Sequence, residues 1–189
     1  MDEIAARHHR SRKRAAPAVG RYWAMAMVLV TALAVPLMVS LFQAEAQAQV
    51  LPGCTATRVT DPPRQVLDCG NGLLIESEAA AALTAQTPQS GLDLEGRAIL
   101  IEVSPRESFQ VLTPHAIATV RGTQFAVDVD AGVTSVFVVE GSVEVSRRDE
   151  PATVLLGPGE GVDVRPGEPL VVREWPQPRV NALLARFGR

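Results

Sequence analysis

The sequence predicts an all-β fold of short strands, either solenoid-like or a sandwich, closed by one C-terminal amphipathic helix. Three observations carry this. Between residues 98 and 173, apolar and β-branched segments of four to eight residues recur, each ending at a turn signal. No helix-length periodic segment interrupts that stretch, which excludes a parallel α/β sheet. Only in the tail does the spacing change: Val180, Leu183, Leu184 and Phe187 fall at i, i+3, i+4 and i+7, one apolar helix face.

Residues 1 to 48 stand apart from the rest. The basic stretch "ARHHRSRKR" precedes an apolar run, residues 23 to 42, and then "QAEAQAQV". Basic, apolar and small-residue regions in that order predict a secretory signal peptide, cut after Ala48 or after Ala46. An uncleaved membrane anchor is the alternative, because the run is long enough to span a bilayer. In both cases the charge bias keeps the N-terminus in the cytoplasm and puts the remainder outside, periplasmic or secreted, or anchored at the inner membrane. The exported remainder has 12 arginines, no lysine, 18 acidic residues and one histidine, His115. That acidic balance does not suit nucleic acid, whose affinity comes from phosphate neutralisation.

Residues 49 to 97 read as a cysteine-containing β segment. "RQVLDC" and "GLLIE" flank "GNG", a hairpin signal. Cys54 and Cys69 are both exported into an oxidising compartment, so a disulfide between them is expected, with two free thiols or a shared metal as the alternatives. "SEAAAALTAQ" is ambiguous between helix and strand, because alanine favours helix but the stretch is short. From Ala98 to Arg173 the chain reads as a β domain. It holds turns at Ala131-Gly132, Gly141-Ser142, Pro158-Gly159 and Pro166-Gly167, the Pro-Gly pairs suiting type II turns. Residues 174 to 189 carry the helix, with Pro178 in its first turn, Gly188 as its C-terminal cap and Trp175 at its join to the sheet.

The stretch "TPHAIATVRGTQFAVDV", residues 113 to 129, holds an oddity: Arg121 and Gly122 sit inside an otherwise buried-looking strand. Alternation places Phe125, Val127 and Val129 on one face and Gln124, Ala126 and Asp128 on the other. Gly122 then marks a corner where two strands meet and no Cβ fits. Arg121 and Thr123 flank that corner. The arginine's donors either tie down carbonyls or a carboxylate there, or bind an anionic ligand.

Three pieces in this order, "TPHAIATVRGT", "TSVFVVEGSVEV" and "VLLGPGEGVDV", resemble the FecR domain, a bacterial extracytoplasmic module. The flanking "CTATRVTDPPRQVLDCGNGL" and "VVREWPQPRVNALLARFGR" also look like secreted single-domain members of alphaproteobacterial type. The resemblance covers about residues 98 to 166 and implies an all-β, solenoid-like periplasmic domain. Members that regulate iron uptake are similar to anti-sigma factors and carry a cytoplasmic helical domain before one membrane span. Here 22 residues precede the apolar run, too few for such a bundle, so the regulatory role carries over less well than the β domain.

Hydrolytic chemistry would have to use His115, which follows Thr-Pro at a strand start, and no serine stands in a nucleophile-elbow sequence. Asp128 and Asp130 share a strand face and offer a weak calcium site, with Glu140 across a hairpin. No catalytic residue, resident metal or cofactor is expected. The function that follows is a non-enzymatic extracytoplasmic module, sensory, signalling or scaffolding, whose partner is a protein or an envelope polymer. Its rivals are a membrane-anchored signalling regulator that keeps the leader, and a hydrolase built on His115.

Overall fold

The structure, a computed structural model, describes residues 50–105 and 108–189. The predicted leader lies outside the described residues. The strands are β1 (Thr55–Thr60), β2 (Pro63–Asp68), β3 (Leu73–Glu78), β4 (Ala82–Thr84), β5 (Gly91–Val103), β6 (Phe109–Leu112) and β7 (Ala116–Val120). They continue as β8 (Thr123–Asp130), β9 (Val133–Glu140), β10 (Val143–Arg147), β11 (Thr153–Leu156), β12 (Glu160–Val164) and β13 (Arg173–Glu174), and α1 (Gln177–Ala185) closes the chain.

All thirteen strands belong to one hydrogen-bonded sheet that curls into a half-barrel. The 13-residue β5 makes the curl, because it serves both halves. Its first residues pair with β4 and, in parallel, with β6; its residues from Arg97 onward pair antiparallel with β3 and β8. One half therefore runs β4–β5–β6–β7–β10–β11 and the other β1–β2–β3–β5–β8–β9–β12–β13. The change of partner falls at Gly96–Arg97, where Arg97 has φ 70° and the following Ala98 N–H donates to the Glu78 carboxylate at 2.9 Å. A strand that passes from one sheet half to another needs such a bend.

The main core fills the inside of the curl and draws on both halves: Leu67, Ile75, Leu92, Phe109, Phe125 and Val145 are among its fully buried members. Residues from before and after position 97 share it, so the cysteine-containing segment and the following strands form one packing unit. A second cluster lies on the outer face of the β3–β5–β8–β9 half, under the helix. There Ala98, Leu100, Ala126 and Phe137 meet Trp175, Leu183 and Phe187. The run "AILI", residues 98–101, is apolar without interruption because the strand there is buried on both faces, Ile99 and Ile101 inward and Ala98 and Leu100 beneath α1.

The local predictions translate directly into geometry. The two-residue Ala131-Gly132 turn closes the β8–β9 hairpin, with Asp130 opposite Val133. Both Pro-Gly turns carry their i to i+3 bond, Glu160 N–H to the Gly157 carbonyl at 3.1 Å and Glu168 N–H to Arg165 at 3.3 Å. Cys54 and Cys69 are bridged, S–S 1.99 Å, beside the first pair of the β1–β2 hairpin, Thr55 opposite Asp68. The ambiguous alanine stretch resolves as the end of β3, a turn and the three-residue β4, its Leu83 drawn into the core.

Candidate functional site

The residues of the quoted motif fix both ends of β7. Thr113 is buried; its Oγ1 accepts the Ala116 N–H at 2.9 Å and donates to the Ala116 carbonyl at 3.0 Å. The same oxygen meets the fully buried hydroxyl of Thr134 at 2.9 Å. At the other end of β7, Gly122 has φ 146°, and a Cβ on it would sit 3.1 Å from Pro105 Cα and 3.2 Å from its Cγ. Gly141, φ 86°, presses on the same place from the β9–β10 turn: its Cβ would lie 2.6 Å from the Gly122 carbonyl. Thr123 Oγ1 then donates to the Ser142 carbonyl at 2.9 Å and locks the two turns together. Glycine is favoured at 122 and 141 because both have positive φ, and at 141 the Gly122 carbonyl also occupies the space of a Cβ.

Arg121 does not tie this corner down. It is exposed, with no side-chain hydrogen bond or ion pair among the described residues. The pleat explains this. Val120 turns into the core as the last residue of β7, so its neighbour turns out, past the end of the ladder. Of the motif's polar side chains, Thr113 and Thr123 serve the fold and Arg121 remains available to a partner.

His115 is half-buried and lies between two recesses. An open cleft of about 440 Å³ is lined by Glu95, Arg97, His115 and Asp130 with the Ala131-Gly132 turn. A smaller recess of about 80 Å³ on the other side holds Arg147, Arg148, Asp149 and Arg165. Among the described residues no serine, threonine or cysteine lines either recess. The proposed calcium ligands do not assemble. Asp128 accepts Arg186 Nη1 at 2.6 Å and Nη2 at 3.2 Å. The hairpin register puts Ser135 opposite Asp128, while Glu140 stands opposite Gln124 at the far end. Among the described residues no group of three or more His, Cys, Asp or Glu is placed to hold a metal.

Sequence reasoning missed the network that fixes the C-terminus. Arg186 bridges β3 and β8: it donates to Glu78 at 2.8 and 2.5 Å and to Asp128 on the neighbouring side. Arg189 pairs with Glu76, which also accepts Arg64 at 2.9 Å. Farther along, Arg179 grips Asp163 at 3.1 and 2.5 Å and lies 3.4 Å from the centre of the Trp175 ring. Burial would raise the Glu78 carboxyl, but the Arg186 hydrogen bonds, the Ala98 N–H and the charges of Arg186 and Arg97 outweigh it and hold it below its ordinary value. Asp163 is likewise held low: burial opposes, yet the hydrogen bonds from Arg179 and Ser135 and the charges of Arg179 and Arg165 prevail. The acidic alternation Glu76, Glu78 and the spacing Arg186, Arg189 are visible in the sequence, but nothing local says that they meet.

Arg147 is the other missed residue. It is buried, and its guanidinium is held by both Asp149 oxygens at 3.1 and 3.2 Å and by the Glu168 carbonyl. It stitches β10 to the loop after β12.

Comparison with known proteins places the middle of the chain. Residues 66–144 match the family described as FecR protein. Two crystal structures of a protein from Parabacteroides distasonis ATCC 8503, described as a candidate anti-sigma factor, match part of this chain. One shares 21% identity over 72% of this chain and 63% of its own, the other 20% over 71% and 62%, both with a TM-score of 0.46. The chain thus spans a little under two thirds of the length of either. No curated protein matches its sequence.

Proposed function

We propose, from the FecR-family segment at residues 66–144, that this protein is a non-enzymatic extracytoplasmic signalling or scaffolding module that works by binding a protein or an envelope component. One observation carries the binding half of that reading. Within the matched segment the Thr113 and Thr123 hydroxyls are engaged at the two ends of β7, while Arg121 stands exposed beside Thr123 with five unused donors. The basic and apolar N-terminal sequence and the Cys54–Cys69 bridge support an oxidising location outside the cytoplasm.

Affinity capture from an extract of the native envelope tests this, with wild type and Arg121→Ala as baits. The expected result is a component retained by wild type and lost by Arg121→Ala at equal folding. Intact mass of the exported chain should start at Gln49 or Gln47; full-length chain confined to membranes would favour the anchored regulator instead. A broad hydrolase screen should show no difference between wild type and His115→Ala, and a turnover lost in that variant would overturn the non-enzymatic reading.

A further inference from the structure

The curled sheet has four free edges among the described residues, at β1, β4, β11 and β13. An edge strand presents a row of unpaired N–H and C=O groups, and natural proteins blunt such rows with charge, brevity or bulges. Three of these edges are blunted. β13 has two residues, both charged. β4 has three and a bulge between Ala82 and Leu83. β1 carries Arg58 among threonines. β11, "TVLL", has no charge, no proline and no bulge. It also displays Leu155, 67% exposed and the most exposed large apolar side chain among the described residues.

The direction of its free groups follows from its one partner strand. Arg147 N–H donates to the Ala152 carbonyl at 3.0 Å, so Arg147 and Ala152 are a hydrogen-bonded pair. Alternation along the β10–β11 register makes Val145–Val154 and Val143–Leu156 hydrogen-bonded pairs too. The N–H and C=O groups of Thr153 and Leu155 therefore face away from the sheet, and these two residues are exposed.

We infer that β11 is the self-association edge of this protein, pairing antiparallel with β11 of a second copy about a two-fold axis at Val154. That register sets Thr153 opposite Leu155 of the second copy, and Leu155 opposite its Thr153. Both are hydrogen-bonded pairs, and together they satisfy the four outward groups of each copy. No charge meets a like charge across the axis, and each exposed Leu155 gains a threonine methyl as its neighbour. The occupant is a second copy because the edge is its own complement. Blunting of the other edges closes the assembly at two. A four-residue contact falls well short of the roughly 1,200 Å² of a standard stable interface, so the pair dissociates on dilution.

Sedimentation equilibrium over a dilution series tests this on chain purified from exporting cells, with Thr153→Pro and Leu155→Lys beside wild type. Proline at 153 removes only an outward N–H and leaves the β10 ladder intact. Lysine at 155 faces Glu144 across the β10–β11 pair and keeps the monomer soluble. The expected result is concentration-dependent dimer in wild type and monomer in both variants, with unchanged thermal melts. Should Thr153→Pro fail to fold, Leu155→Lys decides alone. Wild type that stays monomeric at every concentration overturns the proposal, as does a dimer that survives Leu155→Lys. A monomeric wild type whose captured partner is lost by Leu155→Lys would give the edge to another protein's strand, and overturns it equally.

Discussion

Gly122 and Arg121 are neighbours with opposite duties, and single substitutions separate them. Gly122→Val places a branched side chain against Pro105 Cα and Cγ at a φ of 146°. Both the backbone conformation and the space oppose it. Urea melts should show a loss of more than about 1 kcal/mol, the typical cost of an average substitution. A Gly122→Val melt superimposable on wild type would remove the corner. Arg121→Ala should melt within about 0.5 kcal/mol of wild type, as an exposed position without partners does. Gly161 offers a second test of close approach: its Cβ would sit 2.4 Å from the Trp175 indole and 2.8 Å from the Val136 carbonyl. Gly161→Ala should therefore redden and quench Trp175 emission as the ring leaves its stack on Phe137, whose centroid is 5.1 Å away.

At the scale of elements, α1 is a helix that its own sequence barely supports. It has nine residues, no side-chain N-cap bond and no acidic residue in its first turn. Isolated helices that short are marginal in water, so the sheet must hold it. Leu183 and Phe187 supply the apolar part, and Arg179, Arg186 and Arg189 the ionic part. The last turn closes as a Schellman-type end, with Arg189 N–H on the Leu184 carbonyl at 3.1 Å and Gly188 N–H on Ala185 at 3.0 Å. Acid should release this attachment before the sheet melts. Glu78 and Asp163 have native values below their unfolded ones, so they bind fewer protons when folded. Their stabilisation is present above the unfolded values, about 4, and is lost as pH falls through the lower native ones. Amide hydrogen exchange of residues 180–186 should accelerate in that window ahead of β5 and β8, and Glu78→Gln should move the onset toward neutral pH. Equal protection of helix and strands down to global unfolding would contradict the ionic attachment.

The two halves of the sheet share one interior, so their strands should unfold as one unit. Strands on both sides of residue 97 contribute to the core inside the curl. Far-UV circular dichroism and Trp175 emission should follow one urea transition with coincident midpoints. Reduction of the Cys54–Cys69 bridge should lower that midpoint without splitting the transition. Its sequence separation of 15 corresponds to about 3 kcal/mol in the chain-entropy account. Two resolved transitions would mean that residues 49 to 97 form a separate unit after all.

The sequence by itself determined what is local. Alternation in "TQFAVDV" assigned each side chain of β8 to its face, Pro-Gly and Ala-Gly fixed the turns, and the i, i+3, i+4, i+7 spacing marked the buried face of α1. The Gly122 corner was legible for the same reason, because a glycine inside a strand pattern announces a nearby backbone. Tertiary structure decided everything that depends on which strands become neighbours. Asp128 looked like a metal ligand beside Asp130 until α1 delivered Arg186 to it from 58 positions away. Glu140 lost its place in that group to a hairpin register that sets Ser135 opposite Asp128. Arg121 lay outside every hydrogen bond assigned to it, while Arg147, unremarked in the sequence, was buried among Asp149 and the Glu168 carbonyl. Backbone preferences and side-chain alternation act over a few residues and can be read in order along the chain. The partner of a charged side chain is set by the curl of β5 and the docking of the helix, contacts that join distant segments and exist only once the core has closed.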